Sequence, residues 1–115
     1  MWRYFEKSEF KCPCCGANYI EDNLIDRLDM LRSKLLRPLI VNSGYRCRYH
    51  NHEIKGAPNS LHLVGKAADI NVEGFEPFQK YEMIQYAMML GFRGIGVAEV
   101  FVHLDMRDSK SLWTY

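Results

Sequence analysis

Three side chains able to hold a metal ion stand out in this chain. His62 and Asp69 lie within Ser-Leu-His-Leu-Val-Gly-Lys-Ala-Ala-Asp at residues 60–69, and His103 follows in Phe-Val-His-Leu-Asp at residues 101–105. Two imidazoles and a carboxylate form the N/O donor set that suits Zn²⁺, and three protein ligands leave a fourth position free for water or substrate. Gly65, Ala67 and Ala68 between the first two allow a tight turn and close backbone packing. Taken singly, the three residues could be a surface histidine, an ordinary acidic strand residue and a core histidine. Their spacing and small flanking residues favour the metal site.

The elements that must carry these residues follow from periodicity. Leu24, Leu28, Leu31 and Leu35 recur at helical spacing from Asn23 to Leu36, with Asp22 as the expected N-cap and Pro38 as the stop. Leu39-Ile40-Val41 reads as a short strand, about Tyr45 to Ile54 as a turn and short helix, and Gly56 to Ser60 as a loop. Ala68, Ile70 and Val72 alternate with Asp69 and Asn71, so Asp69 is expected on a strand, facing away from the core. A second helix is expected from Glu76-Pro77 to Gly91, burying Tyr81, Ile84, Ala87 and Met88. Residues 94–97 and 100–105 read as two strands joined by a tight turn at Ala98-Glu99. The sum is an α+β domain whose small antiparallel sheet carries the site, flanked by helices.

At this point a resemblance becomes specific. Residues 60–69 match S-x-H-x-x-G-x-A-x-D at every fixed position, and with the later strand-borne histidine the chain resembles the zinc D,D-peptidases of the M15 superfamily. Ser43-Gly44-Tyr45-Arg46 resembles that family's S-G-Y-R stretch, and His103-Leu104-Asp105 its H-x-D strand. Phe10-Lys-Cys-Pro-Cys-Cys-Gly16 is similar to the opening of its compact phage and prophage subgroup. The resemblance implies a hedgehog/D,D-peptidase-like fold, a Zn²⁺ cofactor on His62, Asp69 and His103, and cleavage of peptide bonds in peptidoglycan stem peptides. Carboxypeptidase and endopeptidase activities both occur there, and the motif does not choose between them.

Hydrolysis needs a carboxylate to take a proton from water. Many family members carry a glutamate three residues before the last histidine, where this chain has Val100. Asp105, two residues after His103 and so on the same strand face, is the expected base, with Glu99 as the alternative. The other reading of Asp105 is a partner that orients His103 without moving protons. Arg46 is expected to bind a substrate carboxylate or an oxyanion, or else to form a structural salt bridge. Ser60 could bind substrate or cap its turn. His50 and His52 read as helix-surface residues. Cys12, Cys14, Cys15 and Cys47 read as buried thiols or one disulfide, with a structural zinc on four sulfurs as the sharper alternative.

Composition bounds the rest. At 115 residues, 48% apolar and 25% charged, the chain is expected to form one domain, with residues 1–20 a cysteine-containing segment and 21–115 the catalytic core. A net charge of +1 without a basic stripe argues against a nucleic-acid partner. No apolar run reaches the ~20 residues that cross a bilayer, and the first residues have no apolar signal-peptide core. The expectation is a monomer made in the cytoplasm that meets the wall only if released, by phage lysis or as part of a virion. A rival from another class is a metal-bearing binding module, since the hedgehog signalling domain shares the fold and metal site.

Overall fold

The computed structural model describes residues 1–115. Helix α1 spans Asp22–Leu35, strand β1 Ile40–Ser43, and helix α2 Arg48–Glu53. Strand β2 spans Ala67–Asn71 and helix α3 Pro77–Met89. Strands β3, β4 and β5 span Gly94–Val97, Phe101–Asp105 and Ser111–Thr114. Two 3₁₀ turns, Lys7–Phe10 and Leu61–Val64, complete the order. The fold is α+β, as expected. No helix is long and apolar enough to cross a membrane.

The sheet runs β1-β2-β4-β3-β5. Its first three pairings, β1 with β2, β2 with β4 and β4 with β3, are antiparallel, whereas β5 adds parallel to β3. This fifth strand makes the sheet mixed, and sequence reading missed it: Ser111-Leu-Trp-Thr is a largely exposed edge with no inside–outside alternation. β2 and β4 pair in strict register, so Ala68, Ile70, Val102 and Leu104 all point to one side, with Ile95 of β3 beside them. All five are buried there with Leu24, Ile25, Leu28 and Leu31 of α1 and with Met83 and Ala87 of α3. The opposite side carries Asp69 and His103, paired directly across the two strands. Alternation thus sends alternate residues to the core and the rest to the site.

Two helix details differ from expectation. Glu21 is the N-cap of α1 and Asp22 its first residue, where the carboxylate still complements the helix dipole. In α3 the buried residues are Met83 and Ala87, with Ile84 half-buried, while Tyr81 (69% exposed) and Met88 (52%) face outward. The helix is apolar nearly all round, so its composition fixes no face, and packing against α1 and the sheet decides.

The N-terminal segment is built into the core rather than appended to it. Phe5, Phe10 and Ile20 belong to the same apolar cluster. Trp2 Nε1 donates to Asp26 Oδ1 at 2.7 Å, and the Tyr4 amide donates to Asp29 Oδ1 at 2.8 Å. The Tyr45 amide donates to the Phe10 carbonyl at 2.7 Å, tying this segment to the loop after β1.

Candidate active site

His62 is held by its backbone before its ring does anything. Ser60 caps the 3₁₀ turn, its Oγ accepting the His62 amide at 3.2 Å. The His62 carbonyl accepts the Arg46 amide at 3.0 Å, joining the turn to the loop after β1. The ring is buried, and its Nδ1 lies 2.7 Å from the Gly44 carbonyl. A carbonyl only accepts, so Nδ1 carries the proton and Nε2 presents a lone pair. That lone pair faces Asp69 Oδ1 at 3.3 Å.

The same logic applies to His103. Its Nε2 donates to the fully buried Asp105 carboxylate at 2.7 Å, leaving Nδ1 turned to Asp69 Oδ1 at 2.9 Å. Both rings therefore bring acceptors to an acceptor. Only a cation relieves that arrangement, either a proton or a metal ion. One donor atom from each of His62, Asp69 and His103 falls within 4.8 Å of the others, a spacing a metal ion can bridge. Two neutral imidazoles, each fixed by an outer hydrogen bond, and a carboxylate fit Zn²⁺.

In the metal-free fold that cation is a proton. Burial works against the Asp69 carboxylate, yet hydrogen bonds with His103 and His62 hold its pKa well below the usual carboxylate range. Burial likewise opposes the Asp105 charge, but His103 and Arg107 keep it ionised. Burial disfavours a charged His103, and the carboxylates of Asp105 and Asp69 outweigh it, so its pKa lies above the ordinary 6.5.

Asp105 occupies a crowded position. Arg107 Nη2 donates to its Oδ2 at 2.6 Å and Nε to its Oδ1 at 2.9 Å. The carboxylate therefore meets the His103 ring at the nitrogen opposite Asp69, away from the converging donor atoms. Glycine makes room for it: a Cβ on Gly94, which pairs with Asp105 across β3 and β4, would run into both Asp105 and Arg107.

A cleft of about 630 Å³ opens over the three residues. Arg46, Ser60, His62, Asp69 and His103 line it, with Arg107, Trp113 and Tyr115 on the far wall. Arg46 is buried; its Nη1 donates to Asn51 Oδ1 at 2.9 Å and its Nη2 to Ser43 Oγ at 3.2 Å. Its Nη2 stands 3.9 Å from Asp69 Oδ2, and its Nε is buried without a partner. A bulge between Val41 and Ser43 brings Ser43 opposite Asp69, which puts that hydroxyl within reach of Arg46.

Of the residues expected at the site, Arg46, Ser60, His62, Asp69 and His103 share this cleft, and Asp105 lies beneath it. Glu99 is exposed in the β3–β4 turn and lines a different cavity with Val72, Phe75 and Lys80. His50 and His52 sit on α2 outside the donor cluster. Sequence reading missed Arg107, Trp113 and Tyr115. Their signal was present, since Trp113 and Tyr115 are two apart, as are Asp105 and Arg107. Tyr115 carries a pKa raised by burial, so its hydroxyl remains a donor.

Comparison with curated proteins finds no match. A family model described as Peptidase M15 matches residues 3–105, which takes in both sides of the cleft's floor and the segment packed against α1. With nearly the whole chain covered, and with the His–Asp–His cluster inside the matched stretch, this protein belongs to the M15 peptidase family.

Proposed function

We propose that this chain is a zinc-dependent peptidase that cleaves peptide bonds in the stem peptides of bacterial peptidoglycan, as a D,D-carboxypeptidase or endopeptidase. The observation that carries this reading is the pair of tautomer-fixed lone pairs aimed at Asp69 on the floor of an open cleft. His62, Asp69 and His103 would hold the ion. When bound, Zn²⁺ supplies Lewis acidity that polarises a carbonyl and lowers the pKa of water.

The remaining work belongs to the protein's own groups. The Arg46 guanidinium, buried at the cleft wall, is suited to a substrate carboxylate or a developing oxyanion. Its Nε is buried without a partner, so the guanidinium still has a donor to offer. Tyr115 supplies a second donor, and Trp113 an apolar wall for the peptide. Ser60 serves first as the cap that sets the His62 turn, and its place at the cleft edge also suits contact with substrate. Asp105 is assigned as a positioning residue that fixes the His103 tautomer, in preference to proton transfer. A cleft of this size accepts a few residues of peptide.

One observation favours a second reading. Asp69 is the only carboxylate lining the cleft, and it belongs to the proposed ligand set. A chain without a free carboxylate there could be a metal-bearing binding module of the same fold. Digestion of purified peptidoglycan, with zinc and after chelation, decides between them when released muropeptides are read by mass spectrometry. A zinc-dependent product, identified by its mass, is the expected result. No product from several wall types, despite stoichiometric bound zinc, overturns the peptidase in favour of the binding module.

A further inference from the structure

The four cysteines meet outside the lining of the cleft. Cys12, Cys14 and Cys15 follow the first 3₁₀ turn, and Cys47 immediately precedes α2. All four are free, yet their sulfurs lie within 4.8 Å of one another. Cys14 Sγ is 3.4 Å from Cys47 Sγ and 3.8 Å from Cys12 Sγ. Four sulfurs held tetrahedrally at the ~2.3 Å Zn–S distance stand ~3.8 Å apart. A single disulfide with two bystander thiols requires only one close pair, whereas here every sulfur approaches every other.

The surrounding backbone is arranged as it is around metal thiolates. The Cys47 amide donates to Cys12 Sγ at 3.5 Å, and the His50 amide donates to Cys47 Sγ at 3.4 Å. Such N–H···S bonds favour the thiolate over the thiol. Cys12 and Cys15 form a C-x-x-C turn closed by the Gly16 amide on the Cys12 carbonyl at 2.9 Å, with Gly16 at φ +75°. Cys12 is fully buried and Cys14 and Cys15 are exposed, so an ion here would sit just under the surface.

We propose that Cys12, Cys14, Cys15 and Cys47 form a second, structural zinc site that staples the N-terminal segment to the loop carrying Gly44 and Arg46. That loop is where Gly44 fixes the His62 ring and Arg46 faces the cleft. The cysteine site would therefore hold one wall of the active site at its correct depth without touching substrate.

Cobalt reports thiolate ligation directly, through near-ultraviolet sulfur-to-metal charge transfer and intense visible bands from tetrahedral coordination. In reduced full-length protein the expected result is two cobalt ions per chain with thiolate bands. Asp69→Ala/His103→Ala should then keep one ion and all the thiolate absorption. Cys14→Ser/Cys47→Ser should lose that absorption and retain one ion. Wild-type protein that binds cobalt without thiolate bands, or whose intact mass is two hydrogens low after purification under reducing conditions, overturns the proposal. Failure of the His–Asp–His reading looks different: one ion per chain, with thiolate bands intact.

Discussion

Replacing Asp105 with asparagine separates positioning from proton transfer. The carboxylate accepts His103 Nε2 at 2.7 Å and two side-chain N–H groups of Arg107 at 2.6 and 2.9 Å, while its Oδ1 also accepts the Arg107 amide at 3.1 Å. Asparagine keeps one acceptor, and Arg107 claims it with two of those contacts. The new NH₂ group then faces His103 Nε2, and two donors cannot share that contact. His103 must move its remaining proton to Nδ1, which covers the lone pair aimed at Asp69. Losing such an outer partner typically weakens metal binding roughly 10–100-fold, and that range corresponds to about 1.4–2.7 kcal/mol. Zinc affinity is measured by competition with a chromophoric chelator, and turnover separately at saturating zinc. The expected outcome is weaker zinc binding, with kcat within about tenfold once the site is filled. Unchanged affinity together with a kcat loss of ~10²–10⁴-fold, the range of a lost general base, would refute this reasoning and make Asp105 the proton acceptor.

Other consequences follow from the same geometry. The His103 pKa lies above 6.5 in the metal-free fold, so its stabilising contribution is complete below pH 6.5 and fades as pH rises through the folded value. Metal-free protein should thus lose thermal stability as pH rises above 6.5 while zinc affinity increases over the same range; parallel slopes would contradict the site. The depressed pKa values of Asp69 and Asp105 add stability above the unfolded carboxylate range, which acid removes as pH falls toward the folded values. Gly94→Ala forces a methyl group into Asp105 and Arg107, and should cost about 1–3 kcal/mol in denaturant unfolding, as overpacking does, together with weaker zinc binding. Glu99→Gln should leave zinc affinity and turnover unchanged, since Glu99 lines another cavity. A large loss of turnover there would place the β3–β4 turn in the chemistry after all.

Much of the architecture was legible because it rests on short-range periodicity. The leucines of α1 announce their buried stripe, and alternation in β2 places Asp69 opposite Ala68 and Ile70. What escaped depends on partners distant in sequence. β5 exists because β3 offers an edge to Ser111–Thr114, and nothing within those four residues reports that edge. The bulge between Val41 and Ser43 is set by pairing with β2. For α3 the composition was too uniformly apolar to choose a face. At the site, spacing was enough to bring Asp105 to the face of His103. It could not show that a same-face neighbour two residues along would lie beneath the imidazole, or that Arg107 would claim the same carboxylate.

The strict register of β2 against β4 assigns folding and chemistry to separate sets of residues on the same two strands. Ala68, Ile70, Val102 and Leu104 answer to packing, and Asp69, His103 and Asp105 to ligation and its support. Drift within the first set is constrained by volume, and drift within the second by donor chemistry, with little need for one to compensate the other. A saturating library over these seven positions should therefore show a two-residue beat: cellular abundance falls at one phase and metal content at the other. A chain organised this way can lose its catalysis and keep its fold, or exchange its metal chemistry for another, by changes confined to a single face.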